Sequence, residues 1–205
     1  MPRVKPRRAE ELPPDLAGIW DRYVSTYGPF EGQLEVFAHV PAALRHLMPM
    51  LMELRTAGTL PRRALELAIV VVSKLNACDY CIAHHQPFLT VEGIPPDVVA
   101  GLPQGLDHSA LTECDRDVVA FSVAAWQDSH RVPERLFRAL RRHFSEAQIV
   151  ELTLRITLTG FFNRFSSVLG IEEAAHADPS STCPPSGLPR TGDDAHSDKR
   201  PGRVA

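Results

Sequence analysis

Apolar residues recur every three to four positions along most of this chain, which is the spacing of an amphipathic α-helix. The pattern predicts a first helix over residues 15–27, a second over 41–57 and a third over 61–75. Proline at the start of the second helix and glycine just past its end fit the usual helix boundaries. No alternating strand pattern interrupts these elements, so the predicted fold class is all-α.

Two further helix starts carry a capping pattern, in which Ser or Thr is followed three residues later by an acidic or amide side chain. Thr112 and Asp115 form the first pair, and Ser145 and Gln148 form the second. A short helix that begins at Pro133 is expected between them. These elements extend the helical pattern to the end of the ordered part of the chain.

The elements predict a single domain, a helical bundle over residues 15–172. Residues 1–14 contain basic residues and prolines without an apolar run, which predicts a flexible N-terminus. Residues 173–205 are rich in Pro, Ser, Asp and Gly and almost lack large apolar side chains. Such a segment buries too little surface to offset its ordering entropy, so a disordered tail is predicted.

Composition and charge argue against a nucleic-acid-binding, a secreted and a membrane-spanning protein. The 205 residues are 44% hydrophobic and 23% charged with a net charge of −3, which gives no field to attract nucleic acid. The sequence "AEELPPD" follows the basic start where a secretory signal would need an apolar run. The most apolar run, residues 67–73, is too short to cross a bilayer. We therefore expect a cytoplasmic protein with no nucleic-acid or membrane partner, in a compartment where structural disulfides are rare.

The segment "LNACDYCIAHHQ", residues 75–86, holds the most distinctive chemistry. Cys78 and Cys81 fall near a predicted helix N-terminus, where the helix dipole and free N–H groups favour a thiolate. Residues three apart in a first helical turn come within disulfide reach after slight relaxation. Because so small a loop adds little stability, the pair favours redox cycling over a structural crosslink.

Two histidines follow the cysteines. His85 lies one turn after Cys81 on the same face, where an imidazole can take or relay the Cys81 proton. His84 points roughly 100° away, so it is not the expected partner and is a candidate for a subunit contact. A zinc site is disfavoured because Cys78, Cys81 and both histidines crowd one helix start, without ligands from a second segment. Chemically inert thiols are the other alternative.

Glu66 is an acidic residue within the apolar run "ALELAIVVV". A carboxylate buried there must be paired, protonated or functional. In one straight helix it would lie roughly 18 Å from Cys78. It can join the cysteines only if the chain bends near Asn76 and two helices fold towards each other. A plain paired core carboxylate is the alternative.

Glu66, Cys78, Cys81 and His85 together match the pattern E-x11-C-x2-C-x3-H. This pattern resembles the signature of AhpD-like alkylhydroperoxidases within the carboxymuconolactone decarboxylase family. Downstream stretches that include "FFNRF" also resemble family members, so the similarity covers residues 15–171. The resemblance implies an AhpD-like helical bundle that assembles into trimers or hexamers and binds no metal or organic cofactor.

The resemblance also implies a function, the thiol-dependent reduction of peroxides. Carried onto this chain, it makes Cys81 the thiolate that attacks the peroxide and Cys78 the resolving partner that forms a disulfide with it. Glu66 and His85 would form the proton relay. The implied partners are a peroxide substrate and an external dithiol, such as a lipoyl group or a thioredoxin-like protein.

Two other functions stay open at this point. Decarboxylation of a lactone acid gives the wider family its name, but members of that type typically lack the cysteine pair. A non-enzymatic redox sensor would oxidise with peroxide and turn over negligibly with a dithiol.

A few other residues carry weaker expectations. Asn163 and Arg164 are candidates for a pocket or an interface, with a helix cap or a surface ion pair as the alternative. Pro87 should disturb the helix just after the thiol segment. Cys114 and Cys183 have no partner nearby in sequence and are interpreted as incidental.

Overall fold

The computed structural model describes residues 2–28 and 30–171. Within these residues the chain forms nine α-helices and no strand, so the predicted all-α fold class is confirmed. None of the described helices is both long and apolar enough to cross a membrane. The disordered tail predicted over residues 173–205 lies outside the described residues.

Turns and loops connect the nine helices along the described residues. In chain order, the helices are α1 Pro14–Tyr27, α2 Glu31–Phe37, α3 Met48–Ala57, α4 Arg62–Leu75, α5 Asp79–Val91, α6 Pro96–Gly101, α7 Glu113–Gln127, α8 Glu134–Leu140 and α9 Glu146–Leu169.

The second predicted helix forms, but its winding is not uniform. Residues Ala43–Leu47 make a π-helical turn that leads directly into α3. The Met48 N–H donates to the carbonyl of Ala43, five residues back, instead of four. Pro49, which has no N–H to donate, follows at once, and the wider turn accommodates that missing donor.

Both predicted capping patterns form reciprocal hydrogen bonds. The Asp115 N–H donates to Thr112 Oγ1 at 3.1 Å, and the Thr112 N–H donates to Asp115 Oδ2 at 2.7 Å. The Ser145 N–H donates to Gln148 Oε1 at 2.9 Å, and the Gln148 N–H donates back to Ser145 Oγ at 3.3 Å. These boxes set the first turns of α7 and α9.

The expectation that Pro87 disturbs its helix is wrong, since α5 continues through it to Val91. Proline removes the hydrogen bond to the carbonyl four residues earlier, which belongs to Ala83. Ala83 and Pro87 are both exposed, so water can satisfy that carbonyl. The helix therefore loses one backbone hydrogen bond on its solvent-exposed side and continues without a break.

Buried apolar side chains form two clusters that meet near the α4–α5 pair. One cluster joins α4 to the helices that follow it, and α4 packs against α5, α7 and α9. The other cluster is built by α1, α2 and α3, and it includes Cys78, Tyr80 and Cys81 from the start of α5. The thiols therefore lie where the N-terminal helices cover the central ones.

The N-terminal segment, for which the sequence predicts flexibility, has backbone partners on the helical body. The Arg3 N–H donates to the carbonyl of Leu169 at 2.7 Å, and the Arg7 N–H donates to that of Glu35 at 3.0 Å. Leu12 is buried in the N-terminal cluster. The segment thus links the end of α9 to α2.

Gly160 allows α9 and α7 to approach closely. A Cβ atom added at this position would lie 1.9 Å from the Trp126 ring, far inside van der Waals contact. The absence of a side chain at Gly160 therefore sets where the Trp126 indole lies.

We predict that Gly160→Ala lowers the free energy of unfolding by about 1–3 kcal/mol, because overpacking outweighs the better helix propensity of alanine. Thermal unfolding followed by circular dichroism measures the change. Gly101→Ala is the matched control, since a Cβ there meets nothing within 4 Å. Equal melting temperatures for the two variants would contradict this account of Gly160.

Candidate active site

The turn between α4 and α5 reverses the chain and positions the candidate residues. Asn76 ends α4, and Ala77 adopts a left-handed conformation with φ of 50°. The Cys78 N–H donates to the Ser73 carbonyl at 2.9 Å, and the Ala77 N–H donates to that of Lys74 at 3.1 Å. This pair of bonds is a Schellman motif with alanine at the position that glycine usually takes. The predicted bend near Asn76 is thus present.

As a result of the bend, α5 returns along α4 and brings two distant residues together. His85 Nδ1 lies 2.8 Å from Glu66 Oε2. Glu66 is buried, and its other carboxylate oxygen lies 3.8 Å from Arg62 Nε. A buried carboxylate between an imidazole and a guanidinium can hold the imidazole in one orientation.

Cys78 and Cys81 face each other at the start of α5. Cys78 is the N-cap residue, and its Sγ lies 2.8 Å from the Cys81 Sγ. Both thiols are buried. A small movement would suffice to join them in a disulfide.

The two thiols differ in acidity. A hydrogen bond from the Cys81 thiol lowers the pKa of Cys78 to about 7 against the opposing effect of burial, and the Cys81 backbone N–H and Asn163 add to the lowering. The same thiol–thiol hydrogen bond raises the pKa of Cys81, together with burial and the charge on Cys78. The first proton therefore leaves Cys78. The resemblance implies attack by Cys81, so the resting thiolate and the expected nucleophile are different sulfurs.

Asn163, one of the weaker candidates, lies at the thiols. It is buried and within hydrogen-bonding reach of both cysteines. Its Oδ1 accepts from Asn76 Nδ2 at 2.8 Å, and its Nδ2 donates to Ser73 Oγ at 3.1 Å. The Trp126 indole N–H donates to Asn76 Oδ1 at 3.0 Å. Arg164 lies outside this network, with its guanidinium 4.5 Å from the Trp126 ring centroid.

His84 has a packing environment distinct from that of His85. Its Nδ1 lies 2.7 Å from the Tyr80 carbonyl, and its ring packs between those of Phe30 and Tyr80. It is buried inside the subunit, so it does not lie at the surface as a subunit contact would require.

Glu66, Cys81 and His85 line a common cavity of about 150 Å³. Aromatic side chains from the N-terminal helices, which the sequence analysis did not identify, form part of its wall. Tyr23 and Tyr27, one turn apart on α1, stack with ring centroids 4.8 Å apart. The only sequence signal for this wall is the i, i+4 spacing of the two tyrosines.

Cys78 faces a different space. It lines a second recess, beside the end of α9, whose other walls include Tyr80, Ser166 and Ile171. The main cavity contains Cys81 but not Cys78 among its lining residues. The sulfur pair therefore lies between two concave spaces.

A possible metal-binding group lies elsewhere in the fold. In the part of the chain that the structure describes, Glu113, Asp117 and His143 are the one such group, and it contains neither cysteine. Arg142 Nη2 lies 2.9 Å from Glu113 and 3.1 Å from Asp117. This ion pairing already compensates the two carboxylates.

The difference in acidity predicts a pH dependence for thiol alkylation. A lowered pKa means that the Cys78 thiolate is present above about pH 7, so its reaction rate with iodoacetamide should rise through that pH. Cys81 should stay slow over the same range, because its pKa is raised. Mass spectrometry of the alkylated peptides gives the rate for each cysteine.

Cys114 is the internal reference for this measurement, because burial raises its pKa to about 11. In Cys81→Ala, Cys78 loses its hydrogen-bond donor, and its pKa should rise towards the ordinary value of about 8.5. Half-maximal alkylation of Cys78 near that ordinary value in the native chain would contradict the assignment.

Known proteins resemble this chain in sequence and in fold. Residues 41–102 match the carboxymuconolactone decarboxylase family. The protein YdfG of Bacillus subtilis (strain 168) is 28% identical over 125 residues, which are 58% of this chain and 81% of that protein.

Solved structures share the fold over most of its length. A peroxidase-related protein with an alkylhydroperoxidase AhpD core, from Ralstonia eutropha JMP134, has a TM-score of 0.71 and 24% identity over 85% of this chain and 93% of its own. The apo debrominase Bmp8 has a TM-score of 0.69 and 20% identity over 84% and 92%. A variant of that debrominase has been solved in complex with 2,3,4-tribromopyrrole, with a TM-score of 0.69 and 19% identity over 84% and 91%.

Proposed function

We propose that this chain, whose residues 41–102 match the carboxymuconolactone decarboxylase family and whose fold resembles that of a protein with an alkylhydroperoxidase AhpD core, is a thiol-dependent peroxidase that reduces organic hydroperoxides. The observation that carries the proposal is the thiol pair, with its sulfurs 2.8 Å apart, next to a cavity that also contains the Glu66–His85 pair. A nucleophile, a resolving thiol and a proton donor are thus available within one site.

The first step reduces the peroxide. The Cys81 proton passes along the existing hydrogen bond to the Cys78 thiolate, which leaves the thiolate on the sulfur that faces the cavity. Cys81 then bonds to the terminal peroxide oxygen as the O–O bond breaks. The alkoxide leaves as an alcohol with a proton from His85, and Cys81 becomes a sulfenic acid. Glu66 orients His85 through the 2.8 Å contact with its Nδ1.

The second step closes the disulfide. The Cys78 thiol attacks the sulfenic sulfur of Cys81, the S–O bond breaks, and the oxygen leaves as water. An external dithiol, such as a lipoyl group or a thioredoxin-like protein, then reduces the disulfide through a mixed disulfide and is itself oxidised. The cycle therefore consumes one dithiol for each peroxide.

The proposal predicts catalytic reduction of cumene hydroperoxide with dihydrolipoamide as the dithiol, measured by peroxide consumption. Cys81→Ser should abolish turnover. Cys78→Ser should stop at a sulfenic acid on Cys81, formed more slowly because the Cys78 base is missing, and dimedone traps that species for mass spectrometry. His85→Gln should lower kcat by roughly 10²–10⁴-fold, because it removes the proton donor. Cys114→Ser is the matched control and should keep full activity.

The other outcomes identify the competing functions. Turnover that survives Cys81→Ser would overturn the proposed roles. Oxidation of both thiols by peroxide without turnover would indicate a redox sensor. Decarboxylation of carboxymuconolactone that persists after both cysteines become serine would indicate a lyase of the family's other type.

A second candidate is reductive debromination, which the aromatic wall of the cavity and the fold shared with a debrominase favour. The Cys81 thiolate would take bromine from an aromatic carbon, the carbon would gain a proton, and Cys78 would displace bromide as the disulfide forms. The same dithiol would reset the pair. Bromide release from 2,3,4-tribromopyrrole, without reduction of cumene hydroperoxide, would favour this function.

A further inference from the structure

Arg155 lies in the cavity wall as a buried cation with an unsatisfied donor. It is 8% exposed and belongs to the residues that line the cavity with Cys81 and His85. Its Nε has no hydrogen-bond partner among the described residues. A buried donor without a partner destabilises the folded chain. A ligand acceptor that bonds to this Nε therefore gains binding free energy.

The nearest carboxylate, Glu151, forms a long ion pair with Arg155 and leaves its Nε without a hydrogen bond. Arg155 Nη2 lies 3.6 Å from Glu151 Oε1, beyond hydrogen-bond distance. The other oxygen of Glu151 accepts the backbone N–H groups of Thr59 at 2.9 Å and Leu60 at 3.2 Å. These two bonds hold Glu151 to the loop before α4.

The charges in the cavity wall favour an anion. Three arginines and two glutamates line the cavity, which leaves an excess of one positive charge before any charge on His85 is counted. Glu66 is hydrogen-bonded to His85 at 2.8 Å, and Arg55 lies over the Tyr27 ring at 4.8 Å. Among the three arginines, Arg155 is the one with a buried donor that has no partner among the described residues.

One face of α9 runs along the cavity. Arg155 lies at one end of this face, and the thiols at the start of α5 lie beside the other end. Arg155, Thr159 and Asn163 occur at i, i+4 and i+8 on α9, and all three line the cavity. The helical rise separates the first from the last by about 12 Å, and Asn163 is the residue beside the thiols. The cavity volume, about 150 Å³, suits a body of about one aromatic ring.

From this arrangement we propose that Arg155 forms an anion site in the thiol cavity, and that the preferred peroxides carry a carboxylate on an apolar body. The guanidinium presents parallel N–H donors that match the two oxygens of a carboxylate. The hydroperoxide group lies at the other end of such a substrate, next to Cys81. The assignment of a peroxide rests on the proposed function, whereas the anion site itself does not.

The test compares two unreactive probes, 3-phenylpropanoate and its neutral amide, by isothermal titration calorimetry on the native chain. The acid should bind roughly tenfold more tightly or better, the ratio expected for charge-assisted hydrogen bonds. Arg155→Gln should remove the preference, and Arg155→Lys should keep part of it. Arg135→Gln removes an exposed arginine charge on α8 and should leave the preference unchanged.

Two results would overturn the anion site. One is equal affinity of the native chain for acid and amide. The other is an equal loss of preference in Arg135→Gln and Arg155→Gln, which would indicate general electrostatics. If Arg155→Gln does not fold, the acid and amide affinities of the native chain and of Arg155→Lys still test whether Arg155 binds the anion.

Turnover separates this inference from the proposed function. The native enzyme should have a higher kcat/KM for the 4-carboxylate of cumene hydroperoxide than for cumene hydroperoxide itself. Preference for the acid probe without turnover of either peroxide would overturn the peroxidase and keep the anion site. Equal turnover of both peroxides without a preference for the acid probe would overturn the anion site and keep the peroxidase.

Discussion

The geometry of the site depends on one tight reversal of the backbone, in which Ala77 takes a left-handed conformation and the end of α4 is closed by two hydrogen bonds. A left-handed alanine costs roughly 1–2 kcal/mol, and the surrounding contacts must over-determine it. The reversal makes Cys78 the N-cap of α5, turns Cys81 towards the cavity and lays His85 against Glu66. Each of these relations would be lost if α4 simply continued.

The elements behind the reversal keep it in place. Asn163 from α9 contacts both the thiols and Asn76, and Asn76 in turn receives the indole N–H from α7. The close approach at Gly160 sets the indole in this position. Three helices distant in sequence thus fix the atoms around two sulfurs, which is the kind of support that a precise reactive site requires.

Local features of the site were predictable from the sequence because they depend on neighbours along the chain. Helical spacing predicted the all-α class, and capping pairs predicted the starts of α7 and α9. The distance from Glu66 to Cys78 along a straight helix made a bend near Asn76 the condition for Glu66 to reach the thiols. The cavity wall was not predictable, because Tyr23 and Arg155 come from helices more than 100 residues apart. The lower pKa of Cys78 also escaped prediction, since it depends on which sulfur is the N-cap and which one donates.

Because the two sulfurs line different spaces, each can be reached by a different molecule. Cys81 faces the cavity with the buried arginine, and Cys78 faces the recess beside the end of α9. A disulfide between Cys78 and Cys81 would lie between the cavity and the recess. Under the proposed function, a peroxide would reach Cys81 from the cavity and a dithiol would reach Cys78 from the recess, so neither molecule would have to leave before the other enters.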